Sequence, residues 1–227
     1  FGHGGRSPAG RHVFLLGFPG AGAEAFAGLL ADAVILEGCE ALIDAARDWM
    51  ADEERFTAFL EADDDAVEPA RDAYWRRVGE EGVDPAGRLF VDCNPLNLFK
   101  LPLIARLFPD ARILIVRGDA RDDVLAAYAA RFRMSAPAWQ MLTLEGCAEL
   151  RAATAALVEA SRTAFGLFMH ETSPEAAAAD PAGEAKAIAA FLALAAPDAP
   201  TLRLAPRPGR WRDYEAELAP VAETRAP

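Results

Sequence analysis

His12-Val-Phe-Leu-Leu-Gly17-Phe-Pro-Gly-Ala-Gly22-Ala-Glu24 is the stretch that decides the fold. Its first part is a short apolar run halted by Gly17 and Pro19, and residues 24–30 continue with helical spacing of their apolar positions. Apolar run, tight turn and amphipathic segment read as strand, turn and helix, the opening of an α/β unit. The turn has the G-x-x-x-x-G frame of a phosphate-binding loop, with Ala23 and Glu24 at the positions where Lys and Ser or Thr belong. Such loops aim backbone N–H groups at an anion with a helix dipole behind them, and that half is retained. The fixed cation and the hydroxyl are absent. Glu24 puts a carboxylate in the first helical turn, where it favours the helix and competes with an incoming phosphate. The turn is either a phosphate cradle made of backbone alone or a Gly-rich corner that packs a helix on a sheet. In the second case its free N–H groups turn to water or to Glu24.

Outward from this unit, strand and helix alternate. Residues 33–37, 88–92 and 111–116 read as strands, the last nearly continuous in its apolar residues as is typical of a buried parallel sheet, and 165–170 as a final one. Residues 40–82 are charged and amphipathic, broken by Asp63-Asp-Asp65 and Pro69 into two or three helices. Further helices are expected over 98–108, 122–132, 137–164 and 183–195, the long Ala-rich one being weakest at Gly146. The Pro-rich segment 197–208 wraps the surface before 211–218 closes the domain. This alternation implies an α/β fold, a parallel sheet flanked by helices, with ligands beyond the carboxyl ends of the strands. No internal period of a solenoid is present. The expected organisation is a disordered segment 1–10, one domain over 11–220 and a tail over 221–227.

The 227 residues are 52% apolar and 26% charged, which fits one soluble core and excludes disorder. A net charge of −12, from 23 basic against 35 acidic side chains, repels polyanions and argues against nucleic-acid binding. Cys39, Cys93 and Cys147 are an odd number of widely spaced thiols without a C-x-x-C pair, so a reducing, cytoplasmic setting is expected. His3, His12 and His170 lack ligand spacing, and no metal site is expected. The most apolar stretch, 13–36, is interrupted by Gly, Pro, Glu24 and Asp32, so no membrane span is expected. Phe1 in place of Met suggests a piece of a longer product.

Several ordered motifs carry a family resemblance. They are the loop 17–24, Phe90-Val-Asp-Cys-Asn-Pro-Leu-Asn97, Leu101-Pro-Leu-Ile-Ala-Arg-Leu-Phe-Pro-Asp-Ala-Arg-Ile-Leu114, Arg117-Gly-Asp-Ala-Arg-Asp122, Phe132-Arg-Met134, Leu142-Thr-Leu-Glu-Gly146 and Gly209-Arg-Trp-Arg-Asp-Tyr-Glu-Ala-Glu-Leu-Ala-Pro220. In this order they resemble the bacterial sulfotransferases whose catalytic domain follows tetratricopeptide repeats. The likeness runs over about 11–220 and is weakest from His170 to Pro200. It implies a P-loop-like fold that binds 3′-phosphoadenosine 5′-phosphosulfate and transfers its sulfuryl group to a hydroxyl of a protein or small molecule.

The same resemblance implies where the cofactor would be held. The family's first loop, Pro-Arg/Lys-Ser-Gly-Thr-Thr, falls on Pro19, Gly20, Ala21, Gly22, Ala23 and Glu24, of which only Pro19 and Gly22 agree. The Arg and Ser that hold the 3′-phosphate fall on Gly118 and Ala126. The Lys of Asp-Lys-x-Pro-x-Asn falls on Cys93, and the acidic pair that supplies the acceptor's base falls on Glu37 and Gly38, leaving Glu37 as the catalytic candidate. Arg207, Gly209 and Arg210 lie where the C-terminal segment returns to the 3′-phosphate, either as surviving contacts or as a surface loop. Charge-assisted hydrogen bonds contribute about 1.5 to 3 kcal/mol each, so three losses weaken cofactor binding by roughly 10³-fold or more. The scaffold motifs align while functional positions inside them have become Gly, Ala or Cys. A domain of reduced or lost activity is the expectation, with a non-catalytic protein-interaction module as the alternative. A third reading keeps the enzyme active through Arg117 or Arg121.

Other groups read more plainly. Arg117, Arg121, Arg131 and Arg133 are interleaved with Asp119, Asp122 and Asp123 and read as a solvated, ion-paired face. Trp75, Trp139, Trp211, Tyr74 and Tyr214 read as packing anchors. Ser161, Ser173, His170 and Glu171 form no triad pattern and are given no catalytic role.

Overall fold

Val13, Phe14, Leu15 and Leu16 are all fully buried in strand β1 (Arg11–Gly17), yet alternate residues enter different cores. Phe14 and Leu16 join one apolar cluster while Val13 and Leu15 join another. Period-two alternation explains this: a strand covered on both faces must be apolar at every position. The computed structural model describes residues 11–30, 33–131, 136–195 and 208–222. The expectations for 1–10, 132–134, 197–207 and 223–227, Arg133 and Arg207 among them, concern residues outside these.

Four more strands, β2 (Val34–Glu37), β3 (Leu89–Cys93), β4 (Arg112–Val116) and β5 (Phe168–Thr172), pair in the order β2-β3-β1-β4-β5. Every pairing is parallel. All carboxyl ends therefore meet at one edge of the sheet, and the chain leaves β1 toward one side and later returns to its other side. That reversal makes the end of β1 a topological switch point, the crevice where such folds take ligands.

Helices α1 (Ala23–Phe26), α2 (Ala41–Ala46), α3 (Glu53–Glu61), α4 (Asp64–Glu80), α5 (Leu101–Leu107), α6 (Ala120–Ala129), α7 (Ala136–Gln140), α8 (Leu144–Phe165), α9 (Pro174–Ala179), α10 (Pro181–Leu192) and α11 (Glu215–Ala222) flank the sheet. Residues 40–82 form three helices, and the acidic run is a boundary because Asp63 caps α4 by accepting from the N–H of Ala66. Pro69 lies inside α4 and does not break it. Helix α5 is preceded by a 3₁₀ turn over Pro95–Lys100, capped by Asn94.

Three sequence expectations need correction. The long helix over 137–164 is two helices, because Thr143 caps a new start by accepting from the Gly146 N–H at 3.0 Å. Gly146 is required there, since a Cβ would lie 2.0 Å from the Gln140 carbonyl oxygen. The last strand begins at Phe168, after Gly166 ends α8 in the left-handed region. Trp139 and Tyr214 are not buried anchors, with relative exposures of 66% and 38%, whereas Tyr74 is fully buried.

Candidate functional site

The loop between β1 and α1 is tightly packed. Pro19, Ala21, Gly22 and Ala23 are buried, and the Ala21 N–H is spent on the Phe18 carbonyl at 2.8 Å. Gly20 and Gly22 have φ of +87° and +82°, a region L side chains seldom adopt. Gly20 also lies directly against α6: a Cβ there would sit 2.7 Å from the Ala126 carbonyl carbon and 2.9 Å from the Ala127 nitrogen. The positions where the resemblance places a cation and a hydroxyl thus pack on each other. Glu24 is exposed and makes no hydrogen bond or ion pair among the described residues, so its carboxylate does not cap the loop's N–H groups.

The turn after β4 is acidic. A Cβ on Gly118 would lie 3.2 Å from Asp123 Oδ1 and 3.6 Å from Glu175 Oε1. Asp123 is 3% exposed; Arg151 Nε lies 3.3 Å from it, and the same guanidinium donates to the Gly118 carbonyl at 3.3 Å. Burial pushes the Asp123 carboxyl up to about 7, against the pull of Arg151 and with a push from Glu175 and Asp122. Glu175 accepts from the Asp119 N–H at 3.1 Å. A cavity of about 30 Å³ lies beside this turn, lined by Phe18, Leu98, Val116, Arg117, Asp123 and Arg151. Its size suits a water molecule and is roughly a tenth of the smallest ligand pockets.

The C-terminal segment is latched to α6. Asp122 accepts from the N–H groups of Gly209 and Trp211, the latter at 2.7 Å. Arg121 lies over the Trp211 ring, 3.2 Å from its centroid, and pairs with Asp119 at 2.6 Å. That pairing holds the Asp119 carboxyl below the usual carboxylate range. Gly209 is therefore brought next to α6, while Arg210 is directed over Tyr214 of its own segment, 5.8 Å from the ring centroid. Arg117 pairs with Glu159 at 3.3 Å and Glu171 at 3.5 Å. Both guanidinium groups considered as substitutes are already engaged by carboxylates.

At the exits of β2 and β3 the picture differs. Glu37 is exposed at the end of edge strand β2 and is the register partner of Cys93, so the acid expected as base and the lost cation's position lie side by side. Behind them runs a buried polar network. Asp92 is fully buried and accepts from the Tyr74 hydroxyl at 2.9 Å and from Asn97 Nδ2 at 3.0 Å. The Tyr74 hydroxyl also lies 3.1 Å from His12 Nε2. Burial pushes Asp92 up to about 7, opposed by Tyr74, Lys100 and Asn97, and brings His12 down to about 3. A neutral imidazole with its proton on Nε2 donates to Tyr74, which donates to Asp92. Lys100 Nζ donates to Asn97 Oδ1 at 3.3 Å and stands 3.6 Å from Glu40 Oε2.

Sequence reasoning passed over Lys100, Glu40 and Arg151, and it placed Asp123 on a solvated face although that side chain is buried at 3% exposure. One signal was present: of 23 basic side chains only two are lysines, Lys100 and Lys186. Among the described residues no cluster of His, Cys, Asp and Glu is arranged to hold a metal, the three cysteines are buried, and no helix is long and apolar enough to cross a membrane.

A five-stranded parallel sheet flanked by helices, with a Gly-rich turn at its switch point, defines a P-loop-like α/β protein. Residues 14–198 match the sulfotransferase family, and the chain belongs to that family. Its fold is that of solved bacterial sulfotransferases. The sulfotransferase from Alicyclobacillus acidocaldarius superposes with a TM-score of 0.56 at 21% identity, over 94% of this chain and 93% of that one. The sulfotransferase domain from the curacin biosynthetic pathway gives 0.57 at 13% identity, over 83% and 75%. That of the Synechococcus PCC 7002 olefin synthase gives 0.51 at 14%, over 84% and 75%. No curated protein sequence matches the chain.

Proposed function

We propose that this chain is a sulfotransferase-family domain, by resemblance the part that follows tetratricopeptide repeats in a longer protein, whose sulfuryl transfer is reduced or lost. The contact between Gly20 and Ala126 carries the reading. Where a cofactor's phosphates would need a cation and a hydroxyl, backbone meets backbone, with 2.7 Å left for any Cβ. The second phosphate position, Gly118, faces the side chains of Asp123 and Glu175, and the Glu175 carboxylate opposes a phosphate there. Glu24 adds a further carboxylate at the start of α1. These residues do not fit 3′-phosphoadenosine 5′-phosphosulfate. The test is sulfate transfer from labelled donor to a mixed panel of hydroxyl acceptors, using the whole chain. We expect no transfer above background; transfer that disappears in an Arg117→Ala, Arg121→Ala double variant would instead favour an active enzyme with relocated cations.

A second reading, a non-catalytic protein-interaction module, draws on a surface observation. Trp139 and Leu142, 66% and 53% exposed, flank the end of α7, and Tyr128 on α6 is 49% exposed. An adaptor needs such a surface and no nucleotide. Millimolar nucleotide should then leave the melting temperature unchanged, and a rise of several degrees would remove this reading.

A further inference from the structure

Residues 208–222, which include a 3₁₀ turn over Arg210–Tyr214 and then α11, are held to the domain by polar contacts more than by apolar ones. Among residues 208–220 only Leu218 is buried, whereas α10 alone buries Ala185, Ile188, Ala189 and Leu192. One leucine offsets little of the conformational freedom that this length of chain gives up when it docks. The rest of the fastening gathers on the first turn of α6. Asp122 accepts from the N–H groups of Gly209 and Trp211, and Arg121 lies 3.2 Å from the centroid of the Trp211 ring. Charges are matched across the junction, where Arg212 acts on Asp119 and Glu215 acts on Arg121. Contacts of this kind weaken as ionic strength rises, and apolar burial does not.

What the segment covers gives it a role. Leu218 belongs to the same apolar cluster as Phe18 and Ala21 of the β1–α1 loop and Val124, Leu125 and Ala127 of α6. Gly20 meets the α6 backbone at Ala126 and Ala127 beside that cluster. We propose that residues 208–222 are a releasable strap, which when closed holds the β1–α1 loop against α6 and which lifts as a unit while the sheet stays folded. Local opening of this kind belongs to elements with few buried side chains. Lifting withdraws Leu218 from the cluster and frees the Gly209 and Trp211 N–H groups. It also loosens the loop, whose Ala21 N–H bonds the Phe18 carbonyl at 2.8 Å. The strap makes closure of the loop a conformational state sensitive to salt, and this goes beyond the reading above, which concerns only what the closed loop excludes.

Amide hydrogen exchange of the whole chain, followed by NMR without nucleotide, reads this opening directly. Gly209, Trp211 and Ala21 should exchange with one shared, shallow urea dependence, at least about a hundredfold faster than the amides of β4. Raising sodium chloride from about 0.05 M to about 1 M should speed all three several-fold. Leu218→Ala should speed the three alike, by about tenfold or more. Asp122→Asn loosens the other end of the strap, and it should carry Ala21 along with Gly209 and Trp211. Exchange of Gly209 and Trp211 only together with β4, at its steep urea slope, would overturn the proposal, as would an Ala21 amide unmoved in both variants. Nucleotide binding or sulfuryl transfer by the chain would contradict the reading above and leave this result standing.

Discussion

The two ends of the same sheet edge are built in opposite ways. At the turn after β1, Gly20 packs against the backbone of α6 at Ala126 and Ala127, the positions 20 and 126 being those where the family resemblance implies a cation and a hydroxyl. At the exit of β3, Asp92, Asn97, Lys100, Tyr74 and His12 form a continuous hydrogen-bonded chain from the core to the surface. Both regions are carried by the same parallel sheet, so the fold does not dictate the difference. A turn of Gly and Ala packs closely without a cation or a hydroxyl, whereas a buried carboxylate cannot lose its donors singly without leaving partners stranded.

The largest effect that would sharpen this contrast is expected at Asp92. Asp92→Ala removes the acceptor of two buried donors, Tyr74 and Asn97, and should cost about 2–5 kcal/mol, read as a drop in urea midpoint at unchanged m-value. Next is Gly20→Arg, which places a Cβ against the α6 backbone at a φ of +87°. It should cost about 2–4 kcal/mol, and adding Glu24→Thr should not recover nucleotide binding. A stable, nucleotide-binding Gly20→Arg protein would break the comparison.

The pH dependence follows from the same buried groups. Asp92 and Asp123 are raised from 3.8 to about 7, so the stability they confer is present below 3.8 and is lost as pH rises through about 7. His12 is lowered from 6.5 to about 3, and its contribution is lost as pH falls from 6.5. Between 6.5 and 3.8 the folded state holds these two aspartyl protons against one histidine proton in the unfolded state. Stability should therefore rise on acidification by about 1.4 kcal/mol per pH unit for the one net proton. Asp64 and Asp119, held low by arginines, begin to subtract only near the lower end of this window. Thermal melts from pH 8 to 4 check the slope, and Asp92→Asn should flatten it between 6.5 and 3.8. The smallest effect is expected for Glu24→Thr alone: exposed and without a partner among the described residues, it should change stability by about 0.5 kcal/mol or less.

The sheet was readable because residues 13–16 and 113–116 are apolar at every position, a pattern that a strand covered on both faces needs. The break between α7 and α8 was not, because the Thr143 cap and the close approach at Gly146 look like any mid-helix Thr and Gly until the chain is folded. Substitution at 20, 118 and 126 could be noticed from the motif frame, yet the mutual packing of 20 and 126 joins residues about a hundred apart. Asp122 read as one of several surface acids, although its two backbone partners lie 87 and 89 residues away. The network at Asp92 stayed hidden for the same reason, with His12, Tyr74 and Asp92 supplied by three separate elements.

The most direct measurement is a calorimetric titration of the whole chain with 3′-phosphoadenosine 5′-phosphate, which engages both phosphate positions and needs no acceptor. With Gly20 closed on Ala126 and Gly118 facing Asp123 and Glu175, we expect no saturable heat, meaning a Kd weaker than ~1 mM. Saturable binding in the micromolar range would show that the loop opens and the cofactor site is intact, contradicting a domain whose nucleotide side has been packed shut.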